Sequence, residues 1–287
     1  MPRFLAMSTE FSYRILNVFA EERLAGNPLA VFEDASGLDE AAMQALALQF
    51  NLSETTFLLP SARATSRVRI FTPSGEMPFA GHPTLGSAYV VRALQHCGDA
   101  LSLEMAAGII PVNAADDVFT LQANAAKTRP ARLTRESLAN MLGLAPADLG
   151  ERPLWVSTGN EQLLVPLNSP DAVARCQPEL RLAQRHASEA GMVKIYVWAE
   201  TGDGQIAARF FFSKRSGSLD EDPGTGSACA NLGGWMIATK EPLPLKRLIY
   251  QGDRVGRPCR LHLSVDETGR IFVGGRVIEL GRGTVSL

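Results

Sequence analysis

Two segments of the chain repeat in the same order. GNPLAVF (Gly26–Phe32) returns as GNEQLLV (Gly159–Val165). RIFTPSGEMPFAGHPTLGSAYVV (Arg69–Val91) returns as RFFFSKRSGSLDEDPGTGSACANLGGWM (Arg209–Met236). In each half a G-N turn leads into an apolar strand. An R-[IF]-F strand then runs into a glycine-containing loop, and a helix opens on small residues. The offset is 133 at the G-N turns, 140 at the arginines and 145 at the loops, as insertions in the second copy would produce. A repeated supersecondary unit constrains the fold more than any other signal here. A length of 287 residues suits two domains. The polar stretch Ala123–Pro130 marks the boundary, giving a first domain over 1–127 and a second over 128–287.

Between these marks the pattern is mostly short apolar or β-branched runs bounded by turn residues, with helices interspersed and no strict βαβ rhythm. That predicts an α+β fold. The main helices are expected at Asp39–Phe50, His82–Leu94 and Ser227–Met236.

DPGTGSACANLGGW (Asp222–Trp235) reads as a loop handing over to a helix. The unpaired N–H groups of a helix start favour an anion. A P-loop would need a lysine after GTGS, and there is none. The dinucleotide fingerprint fails at its third glycine, where Cys229 stands. Asp220, Glu221 and Asp222 line the approach and would repel a polyphosphate. A small carboxylate or zwitterion fits better. The twin stretch PFAGHPTLGS implies a second helix mouth, and two pseudo-symmetric copies would face one ligand across a cleft.

Glu54 opens an otherwise apolar strand in NLSETTFLL. Desolvation there would raise its pKa and make it a proton shuttle. Equally, Glu54 solvates a strand edge, and the residues alone favour that blander reading. His82 before Pro83 reads as an N-cap-like residue, Asp222 as turn chemistry, Ser227 as an N-cap and Cys229 as packing.

Other classes are excluded by charge and spacing. A formal net charge of -2 gives no basic field for nucleic acid or an anionic membrane. No apolar run approaches the roughly 18 residues of a membrane span, and the start lacks a signal-peptide core. Met7 is an alternative start, with the first six residues a disordered tail. The four cysteines and four histidines form no CxxC or HExxH pattern, so no metal is expected. Reduced thiols point to the cytoplasm.

NLSETTF, PFAGHPTLG and EDPGTGSA, in this order, resemble the signatures of the PhzF family, the phenazine-biosynthesis isomerase-like proteins. The resemblance runs from the N-terminal strand to about Val277. It implies the diaminopimelate-epimerase fold: two similar domains, each a sheet curled around a central helix. The last strand, about 276–287, would pack back on the first domain. It also implies a homodimer without a cofactor, acting on a small-molecule carboxylate. Glu54 matches the acid/base glutamate and His82 the active-site histidine. Asp222, the third catalytic residue the resemblance implies, matches the acidic residue of the substrate pocket, and Ser227 matches its serine. Gly81 and Gly226 match the glycines at the helix mouths, where Thr225 joins the substrate-binding set.

In the related epimerases two opposed cysteines do the chemistry. The closest positions here hold Ala80 and Pro223, so a one-base proton shift is favoured. Gly224 replaces an alanine common in relatives and should be harmless. Cys229 and Ala230 gain no role. The implied activity is a proton-shifting isomerase of a small unsaturated amino or hydroxy acid. An amino-acid racemase or epimerase, and a carboxylate-binding protein without turnover, are the alternatives.

Overall fold

The computed structural model describes residues 9–189, 191–202, 204–214 and 217–287. The expected tail before Met7 lies outside them. Short apolar runs become strands, and the two runs without a polar face become buried central helices. The first copy contains β1 (Glu10–Val18), β2 (Asn27–Phe32), α1 (Glu40–Phe50), β3 (Glu54–Leu59), β4 (Ser66–Thr72), β5 (Gly75–Met77), α2 (Gly81–Gln95), β6 (Ala100–Met105) and β7 (Gly108–Ala115). Then come β8 (Val118–Gln122) and β9 (Lys127–Pro130). The second copy contains α3 (Arg135–Leu142), β10 (Leu154–Ser157), β11 (Glu161–Pro166), α4 (Pro170–Arg175), α5 (Leu180–His186), β12 (Ser188–Glu189), β13 (Met192–Gly202), β14 (Gln205–Ser213), β15 (Leu219–Asp222), α6 (Gly226–Ala238), β16 (Leu245–Gln251) and β17 (Cys259–Val265). A long strand, β18 (Ile271–Ser286), ends the chain.

The duplication holds at the level of strand pairing. In the first copy β2 pairs parallel with β3, β3 antiparallel with β4, β4 antiparallel with β5 and parallel with β6, and β6 antiparallel with β7. In the second copy the same sequence of pairings links β11, β13, β14, β15, β16 and β17. Each parallel pair needs a crossover, which a helix supplies. α1 makes it between β2 and β3, and α4 and α5 lie between β11 and β13. The central helices α2 and α6 lie in the crossovers β4 to β6 and β14 to β16.

A helix that is apolar all round must be buried. α2 packs on β1, β3, β4 and β6, and α6 on β9, β10, β11 and β17. In α6 every residue from Ala228 to Met236 is buried. A Cβ on Gly234 would stand 2.4 Å from the Ala126 Cβ, so only glycine lets this helix reach its sheet. The opposite faces of the sheets carry separate cores. In the first copy Phe57 stacks on Phe32 (4.9 Å) and meets Phe71 edge-on (5.5 Å), beneath Met43, Leu46 and Ala47 of α1. In the second, Trp155, Leu163, Ile195, Val197 and Phe211 pack with α3, α4 and α5.

The repeated arginine has a physical reason. Arg69 lies over the Phe71 ring (5.1 Å), and Arg209 over Phe211 (4.6 Å). Each then grips a glutamate on the next strand: Arg69 holds Glu76, and Arg209 holds Glu221, through two N–H donors each. The registers match, with Phe71 opposite Glu76 and Phe211 opposite Glu221. Arg209 also donates to the Val173, Ala174 and Cys176 carbonyls at the end of α4.

The chain divides into two compact units, each discontinuous in sequence. One comprises the chain up to Val18, Pro28–Phe119 and Val277–Leu287; the other comprises Phe19–Asn27 and Thr120–Arg276. The discontinuity follows from β18, which pairs with β17 over Ile271–Gly274 and with β1 over Val277–Ser286. The polar stretch Ala123–Pro130 holds β9, antiparallel to β10. Among the described residues no helix is long and apolar enough to cross a membrane.

Candidate active site

Among the described residues, four of the six α-helices are capped by a side chain. Asp39, Thr134, Ser169 and Glu179 accept from first-turn N–H groups of α1, α3, α4 and α5. The two central helices are not. α2 begins after Ala80, which has no side-chain acceptor, and α6 after Thr225, which makes no capping bond. Gly81 and Gly226 are the first residues of these helices. The N-cap readings of His82 and Ser227 therefore do not hold. Both residues lie one position inside the helix, so their side chains are available for other work.

In the first unit the structure brings Glu54 and His82 together. Glu54 opens β3, opposite Leu29 of β2, with its side chain largely covered. His82 is buried in the first turn of α2, with Nε2 3.4 Å from Glu54 Oε2. The ring hydrogen-bonds to the Pro28 carbonyl, and Nε2 makes no hydrogen bond, so Nδ1 is the donor. This fixes the neutral tautomer, with the Nε2 lone pair turned to the Glu54 carboxyl. Burial pushes the imidazole pKa down to about 3, against the opposing pull of the Pro28 bond. A neutral imidazole beside a carboxyl group can accept its proton in a hydrogen bond, or release it as the carboxyl ionises.

In the second unit Asp222 and Thr225 come together at the start of α6. Asp222 accepts from Asn27 Nδ2 through Oδ1 (3.0 Å) and from the Thr225 hydroxyl through Oδ2. Gln251 Nε2 donates to the Thr225 hydroxyl and the Asp222 carbonyl (2.9 Å each). The Thr225 oxygen is engaged here, which is why it does not cap α6. Desolvation raises the Asp222 carboxyl above its ordinary range, and the Thr225 and Asn27 hydrogen bonds oppose that shift. The acidic approach to this loop is a strand, and its charges are partnered. Glu221 binds Arg209 and Asp220 binds Lys214.

Ser227 accepts from Gln162 Nε2 (2.9 Å). Gln162 Oε1 accepts from Asn231 Nδ2 (2.9 Å), which also donates to the Asn160 carbonyl (2.9 Å). Asn231 Oδ1 takes the Thr158 N–H and hydroxyl. Sequence reasoning missed Asn27, Gln162, Asn231 and Gln251. The signal was present at two of them: Asn27 belongs to the first G-N turn, and Gln162 follows the second by two residues.

Gly224 lies at a close approach of the backbone to its neighbours. A Cβ there would meet the Cys259 Sγ at 2.7 Å and Phe19 Cδ2 at 3.2 Å. Cys229 is fully buried in α6, as its packing reading expects. Burial raises its thiol and that of Cys259, so neither is primed as a thiolate base. Among the described residues no group of three or more His, Cys, Asp or Glu could hold a metal ion.

Two copies of a sheet around a central helix, each helix opening uncapped, define the epimerase-like fold class. A hydroxyproline epimerase from Agrobacterium vitis shares that fold (TM-score 0.63, 13% identity, covering 97% of this chain and 93% of that one). The family model for phenazine biosynthesis-like protein, PhzC-PhzF, matches residues 16–280, and the chain belongs to that family. An uncharacterised isomerase of Pasteurella multocida is 41% identical over 96% of this chain and 94% of its own. A trans-2,3-dihydro-3-hydroxyanthranilate isomerase of Pseudomonas aeruginosa is 32% identical over 90% and 91%. The crystal structure of a Bacillus anthracis PhzF-family protein superposes with a TM-score of 0.85 at 25% identity, over 97% of this chain and all of that one. The chain is an enzyme of the isomerase class.

Proposed function

We propose that the enzyme shifts a proton between two carbons of a small unsaturated amino or hydroxy carboxylic acid, with Glu54 as the acid/base. The reading rests on the Glu54–His82 pair: a carboxyl group at a strand start, 3.4 Å from a buried neutral imidazole in the first turn of an uncapped helix. Glu54 as carboxylate takes a proton from one carbon, and the resulting acid returns it to another. The proton count balances and no oxidant is needed, so the step requires no cofactor. His82 stays neutral throughout, and its Nε2 accepts from the Glu54 carboxyl while that carboxyl carries the proton. General acid–base help of this kind is worth about 10²–10⁴-fold.

Asp222, Thr225 and Ser227 of the second unit contribute substrate binding, as do the first-turn N–H groups opened by Gly81 and Gly226. A racemase built on two thiols is disfavoured, because Ala80 and Pro223 hold the corresponding positions. The four free cysteines agree with a reducing, cytoplasmic setting. The substrate of the P. aeruginosa relative, trans-2,3-dihydro-3-hydroxyanthranilate, is the first compound to test. Incubation in D₂O followed by NMR should show one solvent deuteron at a single product carbon. No conversion and no exchange would exclude this substrate.

A further inference from the structure

The two copies differ at three equivalent positions. Ile70 and Phe210 each follow the motif arginine; Ile70 is opposite Met77 and Phe210 opposite Asp222, so Asp222 stands where the first copy has Met77. Ala80 and Thr225 each precede the first glycine of a central helix. Arg67 and Ala207 each stand two residues before the motif arginine. Arg67 is opposite Glu104 and Ala207 opposite Tyr250, so Gln251 stands where the first copy has Met105. With Met77, Ala80 and Met105 at these positions in one copy, the fold makes no demand for polar groups there. The second copy places a carboxylate, a hydroxyl and an amide at them and joins all three by hydrogen bonds. Burying such groups costs stability unless each is partnered. The set answers to function and not to packing.

Gln251 is 1% exposed and reaches the Asp222–Thr225 loop from the end of β16. The backbone sets its orientation: Nε2 donates to the Asp222 carbonyl (2.9 Å), and Oε1 accepts from the Thr225 N–H (3.4 Å). The second hydrogen of Nε2 goes to the Thr225 hydroxyl oxygen (2.9 Å). A threonine at an N-cap ordinarily gives that oxygen to first-turn N–H groups. Here Gln251 donates to it, and the hydroxyl donates to Asp222 Oδ2. Asn27 acts in the same way on the other oxygen. Its Nδ2 donates to the Gly224 carbonyl (3.0 Å) and to Asp222 Oδ1 (3.0 Å). With the Gly224 N–H, three of the roughly four acceptor positions of an ionised carboxylate are filled. Asp222 is thereby held in one orientation, with room for one further donor.

We propose that Gln251 is a positioning residue of the active site: through Thr225 it holds the Asp222 carboxylate as the acceptor for an amino or hydroxyl group of the substrate. For the substrate, this rests on the isomerase reading.

The test pairs kinetics with a titration that needs no substrate. Gln251→Met and Thr225→Ala each introduce the residue type of the first copy. Either variant should raise KM for trans-2,3-dihydro-3-hydroxyanthranilate about 10-fold with kcat little changed. The double variant should lose no more than the worse single one, because Gln251 acts through Thr225. Thr225→Ser keeps the hydroxyl and should recover most of what Thr225→Ala loses. The titration is ¹³C NMR of aspartate-labelled enzyme, with the Asp222 signal assigned by its absence in Asp222→Asn. The Asp222 midpoint should rise by about one pH unit in Gln251→Met and Thr225→Ala, because a donor that favours the ionised form is lost. Glu221, held by Arg209, and the buried Cys259 are the titratable neighbours of Asp222, and both variants leave them in place. Wild-type KM in Gln251→Met, single effects that multiply in the double variant, or an unmoved Asp222 midpoint overturns the proposal. If the midpoint rises while wild-type enzyme converts none of the compound, the positioning of Asp222 by Gln251 stands and the isomerase reading fails for this substrate.

Discussion

His82 is held neutral at the cost of acid stability. An unfolded histidine protonates near pH 6.5, whereas burial brings His82 down to about 3. Between these values the unfolded chain binds a proton that the native state refuses. Stability therefore falls as pH drops through that window, by roughly 1.4 kcal/mol per pH unit at most. Asp222 acts with the opposite sign. Its raised carboxyl binds a proton in the native state first, so it gains stability as pH falls through that range. His82→Gln should flatten the fall of melting temperature between pH 6.5 and 4.5. Parallel wild-type and variant curves would contradict a buried neutral imidazole. Gly224→Ala should cost about 1–3 kcal/mol by overpacking against Cys259, and Gly224→Ala with Cys259→Ala should recover most of it in urea melts. If the single variant is as stable as wild type, the close approach is not tight. At this scale the candidate residues stand out as residue types out of place, an acid in an apolar strand and a histidine at a helix start, although the residues alone favour a bland reading of each and only the family resemblance gives them a role. Their supports do not stand out. Asn27 and Gln162 are marked only by their place at the two G-N turns, and nothing local distinguishes Gln251 from a surface residue.

At the scale of elements, the R-[IF]-F repeat is a clamp that ties a strand to its hairpin partner. The two clamps differ in burial. The Arg209 and Glu221 side chains are 12% and 9% exposed, against 18% and 32% for Arg69 and Glu76. Arg209→Met would leave Glu221 as a buried unpaired charge and free the carbonyls at the end of α4. It should cost about 3–5 kcal/mol, and Arg69→Met closer to 1 kcal/mol. Denaturant unfolding of the two variants checks the order; equal losses would contradict it. Strand β15 shows why some elements escaped the sequence. LDED has no β-propensity, and it becomes a strand because β14 presents Arg209 to Glu221. β16, LKRLIYQ, follows a proline-rich turn and its adjacent Lys246 and Arg247 break any period of two, so it reads as surface loop until β14 and β17 are seen on either side of it.

At the scale of the whole molecule, the repeat of the G-N turn, the R-[IF]-F strand and the helix-opening loop, at offsets of 133 to 145, stands for a repeat of five strand pairings. That is why the fold was readable: a duplication is detected by self-comparison and needs no secondary-structure assignment. Self-comparison does not give the path of β18, because alternation from Ile271 to Ser286 reports a strand and not the identity of its partners; only the family resemblance implied that about 276–287 packs on the first domain. Removing Val277–Leu287 takes the antiparallel partner from β1, and the first unit should then be cleaved by protease before the second. Cleavage confined to the second unit would contradict that assignment.

The central claim is that Glu54 carries the proton. The direct measurement is NMR of trans-2,3-dihydro-3-hydroxyanthranilate in D₂O with wild-type enzyme and with Glu54→Gln, which keeps the shape of the side chain and removes its base. Isomerisation with one deuteron at one carbon in wild type, and a loss of about 10²-fold or more in the variant, is the expected result. Isomerisation by Glu54→Gln at the wild-type rate would contradict it.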